Sequence, residues 1–162
     1  MVPYISEPYA ESHPDLLAAI AGGFGLNPPA VDSARILELG CSTGNNLLPI
    51  AAFIPGTKCL GIDVSEQAIA LGHKTISAVG LSNIQLRRVR FEEAGGLGEF
   101  DYVICHGVYS WITPSTRREV LNLIASNLAP DGVAYLSFNT FPGWHQRLPV
   151  RELMRYHLST LE

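Results

Sequence analysis

Charge is scarce in this chain, and its scarcity excludes several functions. Asp, Glu, Lys and Arg make up 16% of the 162 residues, with a formal net charge of −4. That balance gives no general attraction to phosphate backbones, so nucleic acid is disfavoured as a partner; the basic run Arg87, Arg88 and Arg90 suits at most a small site. Long hydrophobic runs are missing too. The longest, such as LLPIAAFI at 47–54, fall well short of the ~18 residues a membrane span needs. The opening MVPYISEPYAESHP lacks the basic flank of a secretory signal. Cysteine is limited to Cys41, Cys59 and Cys105, widely spaced, with no CxxC and no histidine at ligand spacing. They read as buried reduced thiols, and no metal is expected. These absences together predict a cytoplasmic protein with no membrane partner. Hydrophobic residues, at 47%, suffice for one domain with one core.

Periodicity orders the elements. HPDLLAAIAGGF puts Pro14 in a helix first turn and repeats apolar residues at Leu16, Leu17, Ile20 and Phe24, until GLNPP stops it. RILELG (35–40) is a short strand, followed by a glycine loop and a helix carrying Leu47, Leu48, Ile50, Ala51 and Ile54. KCLGIDV (58–64) is the second strand. Ser65 can cap the next helix, whose stripe is Ile69, Ile76 and Val79 and whose C-cap is Gly80. NIQLRRV (83–89) alternates like a half-buried strand, whereas FDYVICHGV (100–108) is a nearly continuous apolar run, as a strand covered on both faces should be. Thr113-Pro114 opens a helix with Val120, Leu121, Ile124 and Leu128 on one side, and LAPDG (128–132) ends it. GVAYLSFN (132–139) is the fifth strand, and LPVRELMRYHLSTL a last helix. Five strands interleaved with helices predict an open, mostly parallel α/β sheet.

The stretch ILELGCSTGNN (36–46) places a lone acid and a loop of small residues between strand and helix. Such a loop offers backbone N–H groups to something electronegative, a phosphate or an amino-acid carboxylate. The dinucleotide fingerprint GxGxxG is not met: Gly40 and Gly44 bracket Ser42, and Asn45 follows. Asp63, ending the second strand, can accept two ribose hydroxyl protons, or cap the helix that its DVSEQ context opens. His106 and Gly107 end the fourth strand, where an open α/β sheet has its ligand crevice; a histidine there is as readily a rim residue as a proton carrier.

ELGCSTG, the acid at Asp63, FDYVICHGVYSW and LAPDGVAYLSFN together resemble the class I S-adenosylmethionine-dependent methyltransferases. The family's first motif, an acid followed by GxGxG, is met by Glu38, Gly40 and Gly44 and departs from it at Ser42, where glycine is commoner. The resemblance implies a Rossmann-like sheet and S-adenosyl-L-methionine as cofactor. Gly40, Cys41, Ser42, Thr43, Gly44 and Asn45 would approach its methionine part, with Glu38 toward the ammonium group and Asp63 toward the ribose. Ile62 and Val64 would flank adenine, and His106 and Gly107 would close the fourth-strand side. Where the family places an acid before an apolar residue after the third strand, this chain has Arg90 and Phe91. That leaves Phe91 to meet adenine and Glu92 to stand in for the acid, or the segment to form a solvated turn.

A narrower resemblance lies in YISEPYAESHPDLLAAIAGGFGLNPP, HGVYSWI and FNTFPGWHQR. These are similar to bacterial methyltransferases that carry an added regulatory domain, among them rickettsial enzymes that methylate lysines of an outer-membrane protein. The likeness implies an N-terminal lid segment and helix at 1–34 and a cofactor-binding core at 35–162. Tyr4, Tyr9, His13, Tyr109, Trp111, Trp144 and His145 fall in lid segments around cofactor and acceptor. Aromatic rings there suit a lysine stem and its charged head, or simply anchor the lid. The implied reaction is methyl transfer to a nucleophilic acceptor, protein lysine being one, and it depends on alignment more than on acid–base chemistry. His13, His106 and His145 are candidates for taking a lysine proton. The family sheet has seven strands, so the chain reads as truncated after the fifth, whose exposed edge would invite self-association. Two other classes stay open: an NAD-dependent oxidoreductase, which a glycine at position 45 would have favoured, and a non-catalytic protein-interaction module. Fold alone does not choose the acceptor.

Overall fold

The computed structural model describes residues 7–160. Its sheet has five strands, β1 (Arg35–Leu39), β2 (Lys58–Asp63), β3 (Ile84–Arg88), β4 (Phe100–Cys105) and β5 (Leu128–Leu136). All neighbours are parallel, in the order β3-β2-β1-β4-β5. The helices are α1 (Pro14–Gly23), α2 (Leu47–Phe53), α3 (Glu66–Val79), α4 (Pro114–Asn127) and α5 (Leu148–Ser159). This is the expected Rossmann-like open sheet. The chain winds outward from β1 to β3, then returns to lay β4 on the other side of β1, so a crevice opens where the carboxyl ends of β1 and β4 diverge.

The two-residue period of the strands divides the core into two layers. Ile36, Tyr102 and Ile104 pack with Leu17 of α1, Leu47 and Ile50 of α2 and Ile69 of α3. Leu37, Leu39, Val103 and Cys105 face the other way, against Val120 and Leu123 of α4. Each fully buried Leu or Ile contributes about 1.5–3 kcal/mol, which is why these central strands tolerate almost no polar residue. At the amino end, the Arg35 guanidinium clamps Asp101 through Nη2–Oδ1 at 2.8 Å and Nε–Oδ2 at 3.1 Å, fixing β1 against β4. That hydrogen-bonded partner holds the Asp101 carboxyl below its ordinary range.

Local signals match the structure where they concern caps. Ser65 Oγ accepts from the Ala68 N–H at 3.2 Å, Thr113 Oγ1 accepts from the Thr116 N–H at 3.3 Å, and Gly80 is the left-handed C-cap of α3. Facing directions required correction. In α1 the core takes Leu17 and Ala21, while Leu16 and Ile20 are exposed and Phe24 lies beyond the helix end. In α4 it takes Val120 and Leu123 and leaves Leu121 outside, and Val79 of α3 is exposed as well. LAPDG does end α4, at Asn127, but it also opens the fifth strand four residues ahead of the expected start at Gly132. β5 begins at Leu128, paired with Phe100, and resumes with Val133 opposite Tyr102. The irregularity puts Pro130 and Asp131 in solvent, which an edge strand permits.

Cys41, Cys59 and Cys105 are free and buried. Burial pushes the Cys59 thiol up to about 11 and that of Cys105 up to about 12. Among the described residues no helix is long and apolar enough to cross a membrane, and no group of three or more side chains suits a metal ion.

Candidate functional site

A cavity of about 560 Å³ occupies the crevice, and Glu38, Gly40 and Asp63 all line it. Three further segments close it: Glu7 and Tyr9 from the N-terminal side, His106 and Gly107 after β4, and Trp111 at the mouth. A smaller lobe of about 220 Å³ shares Gly40, Asp63, Val108 and Ile112 with it and adds Val64, Val89, Phe91 and Glu92. A shallower depression of about 730 Å³ lies at the amino ends of the strands, beside Arg35, Lys58 and Arg87. It is at the wrong end of a parallel sheet for a ligand of this fold.

The loop between β1 and α2 is tied to the end of β2. Gly40 and Cys41 donate their N–H groups to the Ile62 carbonyl at 2.8 and 3.1 Å. Ser42, at φ 51, is in the left-handed region that favours glycine, and its N–H donates to Asp63 Oδ2 at 2.8 Å. Asp63 Oδ1 accepts from the Ser65 N–H at 2.8 Å. The two sequence readings of Asp63 are therefore compatible: it fixes the turn and also lines the cavity. Gly44, at φ 77, faces the Leu86 side chain and not the cavity, and Asn45 does not line it either.

The floor holds a buried acid. Glu38 Oε1 accepts from Asn46 Nδ2 at 2.9 Å, while Oε2 is buried without a hydrogen-bond partner. Burial pushes the Glu38 carboxyl up to about 8; the Asn46 hydrogen bond opposes this and the Asp63 charge adds to it. Thr43 Oγ1, in another lining residue, is likewise buried and unpartnered. An orphaned buried polar group costs about 1–3 kcal/mol. Two in one cavity mark it as shaped for a ligand with polar groups of its own.

Near the mouth, the His106 ring lies 3.7 Å from that of Tyr9, centroid to centroid, and His106 Nδ1 is 3.2 Å from the Tyr135 hydroxyl. Burial lowers the pKa of His106, and the Glu11 charge opposes the shift. Trp111 meets Trp144 edge-on at 5.7 Å, so Trp144 reaches the cavity through its neighbour. The remaining lid residues stand apart. The Tyr109 ring carries the Arg117 guanidinium at 5.5 Å, and its carbonyl accepts from Arg117 Nε at 2.9 Å, an anchoring role. His13 caps α1, accepting from the Asp15 N–H at 3.3 Å, and His145 packs on Phe141. Tyr4 lies outside the described residues. Glu92 accepts from the Thr116 hydroxyl at 2.9 Å at the rim of the smaller lobe. Sequence reasoning missed Asn46, Ser12 and Tyr135. Only Asn46 carried a signal, as a polar residue at the first turn of a helix that follows the acid.

Residues 37–134 match the family described as a methyltransferase domain. One uncharacterized protein of Rickettsia prowazekii is 41% identical over 160 residues, spanning 98% of this chain and 29% of that protein. A second protein from the same organism is 39% identical over 157 residues, with 96% of this chain and 63% of that protein covered. The structure of PKMT2 from Rickettsia typhi in complex with AdoHcy superposes with a TM-score of 0.92 at 37% identity, covering 99% of this chain and 31% of that one. The chain thus spans less than two thirds of each of these relatives.

Proposed function

The chain belongs to the methyltransferase-domain family, and from that premise we propose that it binds S-adenosyl-L-methionine in the β1–β2–β4 crevice and transfers a methyl group to a nucleophilic acceptor, protein lysine first among them. One observation carries the reading: Glu38, the Gly40–Thr43 loop and Asp63 line a single cavity in which Glu38 Oε2 and Thr43 Oγ1 are buried without partners. These residues fit the group. Glu38 Oε2 would face the ammonium, and the Thr43 hydroxyl can donate to the carboxylate. Each Asp63 oxygen already accepts one backbone N–H and keeps a second lone pair for a ribose hydroxyl. Val64, Phe91, Val108 and Ile112 would enclose the adenine in the smaller lobe. When bound, the cofactor supplies an electrophilic methyl group on a sulfonium.

On the acceptor side, the cavity-lining Trp111 would meet a cationic side chain, whereas the Trp144 ring already carries the Arg147 guanidinium at 5.3 Å. His106, whose Nδ1 lies 3.2 Å from the Tyr135 hydroxyl, would be the group to take an acceptor proton. Support for the cofactor comes from the AdoHcy complex of PKMT2, and neither the oxidoreductase reading nor the non-catalytic one has an observation in its favour. The free buried thiols suit the cytoplasm as its setting, and the outer edge of β5 is proposed as a self-association surface.

Titration calorimetry with S-adenosylhomocysteine and with NAD is the direct test. Binding of the first and not the second is expected. Asp63→Ala should weaken it at least tenfold, about 1.4 kcal/mol, while unfolding stays cooperative. Binding of NAD alone would defeat the reading. Transfer of labelled methyl into protein from a lysate then tests the acceptor class.

A further inference from the structure

Asn46 stands between the buried acid and the N-terminal wall of the cavity, and every polar atom of its carboxamide is engaged. Nδ2 donates to Glu38 Oε1 at 2.9 Å and to Ser12 Oγ at 3.1 Å. Oδ1 accepts from the Tyr9 backbone N–H at 2.9 Å. Ser12 Oγ in turn donates to the Tyr9 carbonyl at 3.0 Å. Ser12 is fully buried and Asn46 nearly so, so water does not substitute for these bonds. The direction of the network is fixed. Turning the carboxamide over would set an NH2 group against the Tyr9 N–H, donor against donor.

Two consequences follow. Because Oε1 always accepts from Asn46, any proton on Glu38 sits on Oε2, the oxygen without a protein partner. A cationic ligand group meeting Oε2 replaces that proton and leaves a full carboxylate facing Asn46, and hydrogen bonds to ionised groups are roughly twice as strong as neutral ones. The same carboxamide holds the turn at Ala10–Ser12, ahead of which the Tyr9 ring lies against that of His106 at a 32° tilt. We infer that Asn46 is a positioning residue that couples occupation of the Glu38 site by an ammonium group to closure of the N-terminal turn over the cavity. The inference rests on the cofactor reading above, and its test separates the two.

Hydrogen exchange, read by mass spectrometry over residues 7–13 with and without saturating S-adenosylhomocysteine, measures the coupling without turnover. In the unaltered chain the ligand is expected to slow exchange at Tyr9, Ser12 and His13 at least tenfold. In Asn46→Ala the ligand still binds through Asp63, and that slowing is lost. Ser12→Ala, a smaller change that keeps the Glu38–Asn46 bond, should bind within threefold of the unaltered chain yet show partial loss of protection. It keeps the test decisive if Asn46→Ala fails to fold. Ligand binding with no slowing in the unaltered chain, or full slowing in Ser12→Ala or Asn46→Ala, overturns the coupling alone. Absence of any ligand binding to the unaltered chain removes the cofactor reading and the coupling with it.

Discussion

At Glu38, the absence of a partner on Oε2 and a carboxyl held at about 8 by burial fix how the site responds to pH. A folded-state pKa raised above the unfolded value of 4.5 means that the folded chain binds the proton more tightly. The stability this group contributes is fully present below about pH 4.5 and is lost as pH rises through about 8, where the buried carboxyl ionises without a counter-charge. An ammonium group at Oε2 reverses the preference. At pH 7 the free site is mostly protonated, so binding of S-adenosylhomocysteine is expected to release close to one proton, and affinity should climb toward pH 8. Calorimetry in two buffers of different ionisation enthalpy reads this directly. In Glu38→Gln the release should vanish and affinity fall at least tenfold. A binding enthalpy independent of buffer in the unaltered chain would mean that Glu38 does not meet the cation.

Among the elements, α3 carries an interior glycine, Gly72, at a helix position where glycine costs about 1 kcal/mol against alanine. The packing accounts for it. A Cβ there would meet the Thr43 carbonyl oxygen at 2.5 Å and the side chain of Leu86. A Cβ on Gly61 of β2 would meet Cys41 Sγ and Leu86 Cδ2, both at 2.7 Å. The back of the cofactor loop is thus pressed between β2, β3 and α3. Gly72→Ala, a better helix former, is still expected to lower the unfolding free energy by about 1–3 kcal/mol through overpacking, and to weaken S-adenosylhomocysteine binding by displacing Thr43. Urea denaturation checks the first effect, and a raised midpoint would place α3 farther from the loop. Such contacts also explain what was readable beforehand. Caps at Ser65, Thr113 and Gly80 depend on neighbours within four residues, so the sequence displays them. The acid, loop and second acid converge because parallel strands end together, which the β/α alternation already implies. The choice of Leu123 over Leu121, the absorption of LAPDG into β5 and the role of Gly44 against Leu86 are settled by tertiary partners. The Ser12–Asn46 bond joins residues 34 apart, with no pattern linking them.

Over the whole molecule, the two core layers and the cavity are complete without α5. That helix buries none of its residues, and Val150, Leu153, Met154 and Leu158 are each 60–68% exposed. Its extensive contacts are with the preceding turn at Gly143–Arg147, where Trp144 joins Trp111. Such a solvated apolar stripe contributes little to stability and favours contact between chains, as does the edge of β5, which has no outer partner among the described residues. Shortening the chain after Arg147 is therefore expected to leave the S-adenosylhomocysteine affinity within about twofold and the unfolding free energy within about 0.5 kcal/mol, the range typical of surface changes. Sedimentation over a range of concentrations should show a rise in mass for the chain with α5 that shortening diminishes, leaving whatever association β5 supports by itself. If shortening abolishes ligand binding instead, α5 supports the site through Trp144, and the cavity depends on more of the chain than the sheet and its first four helices.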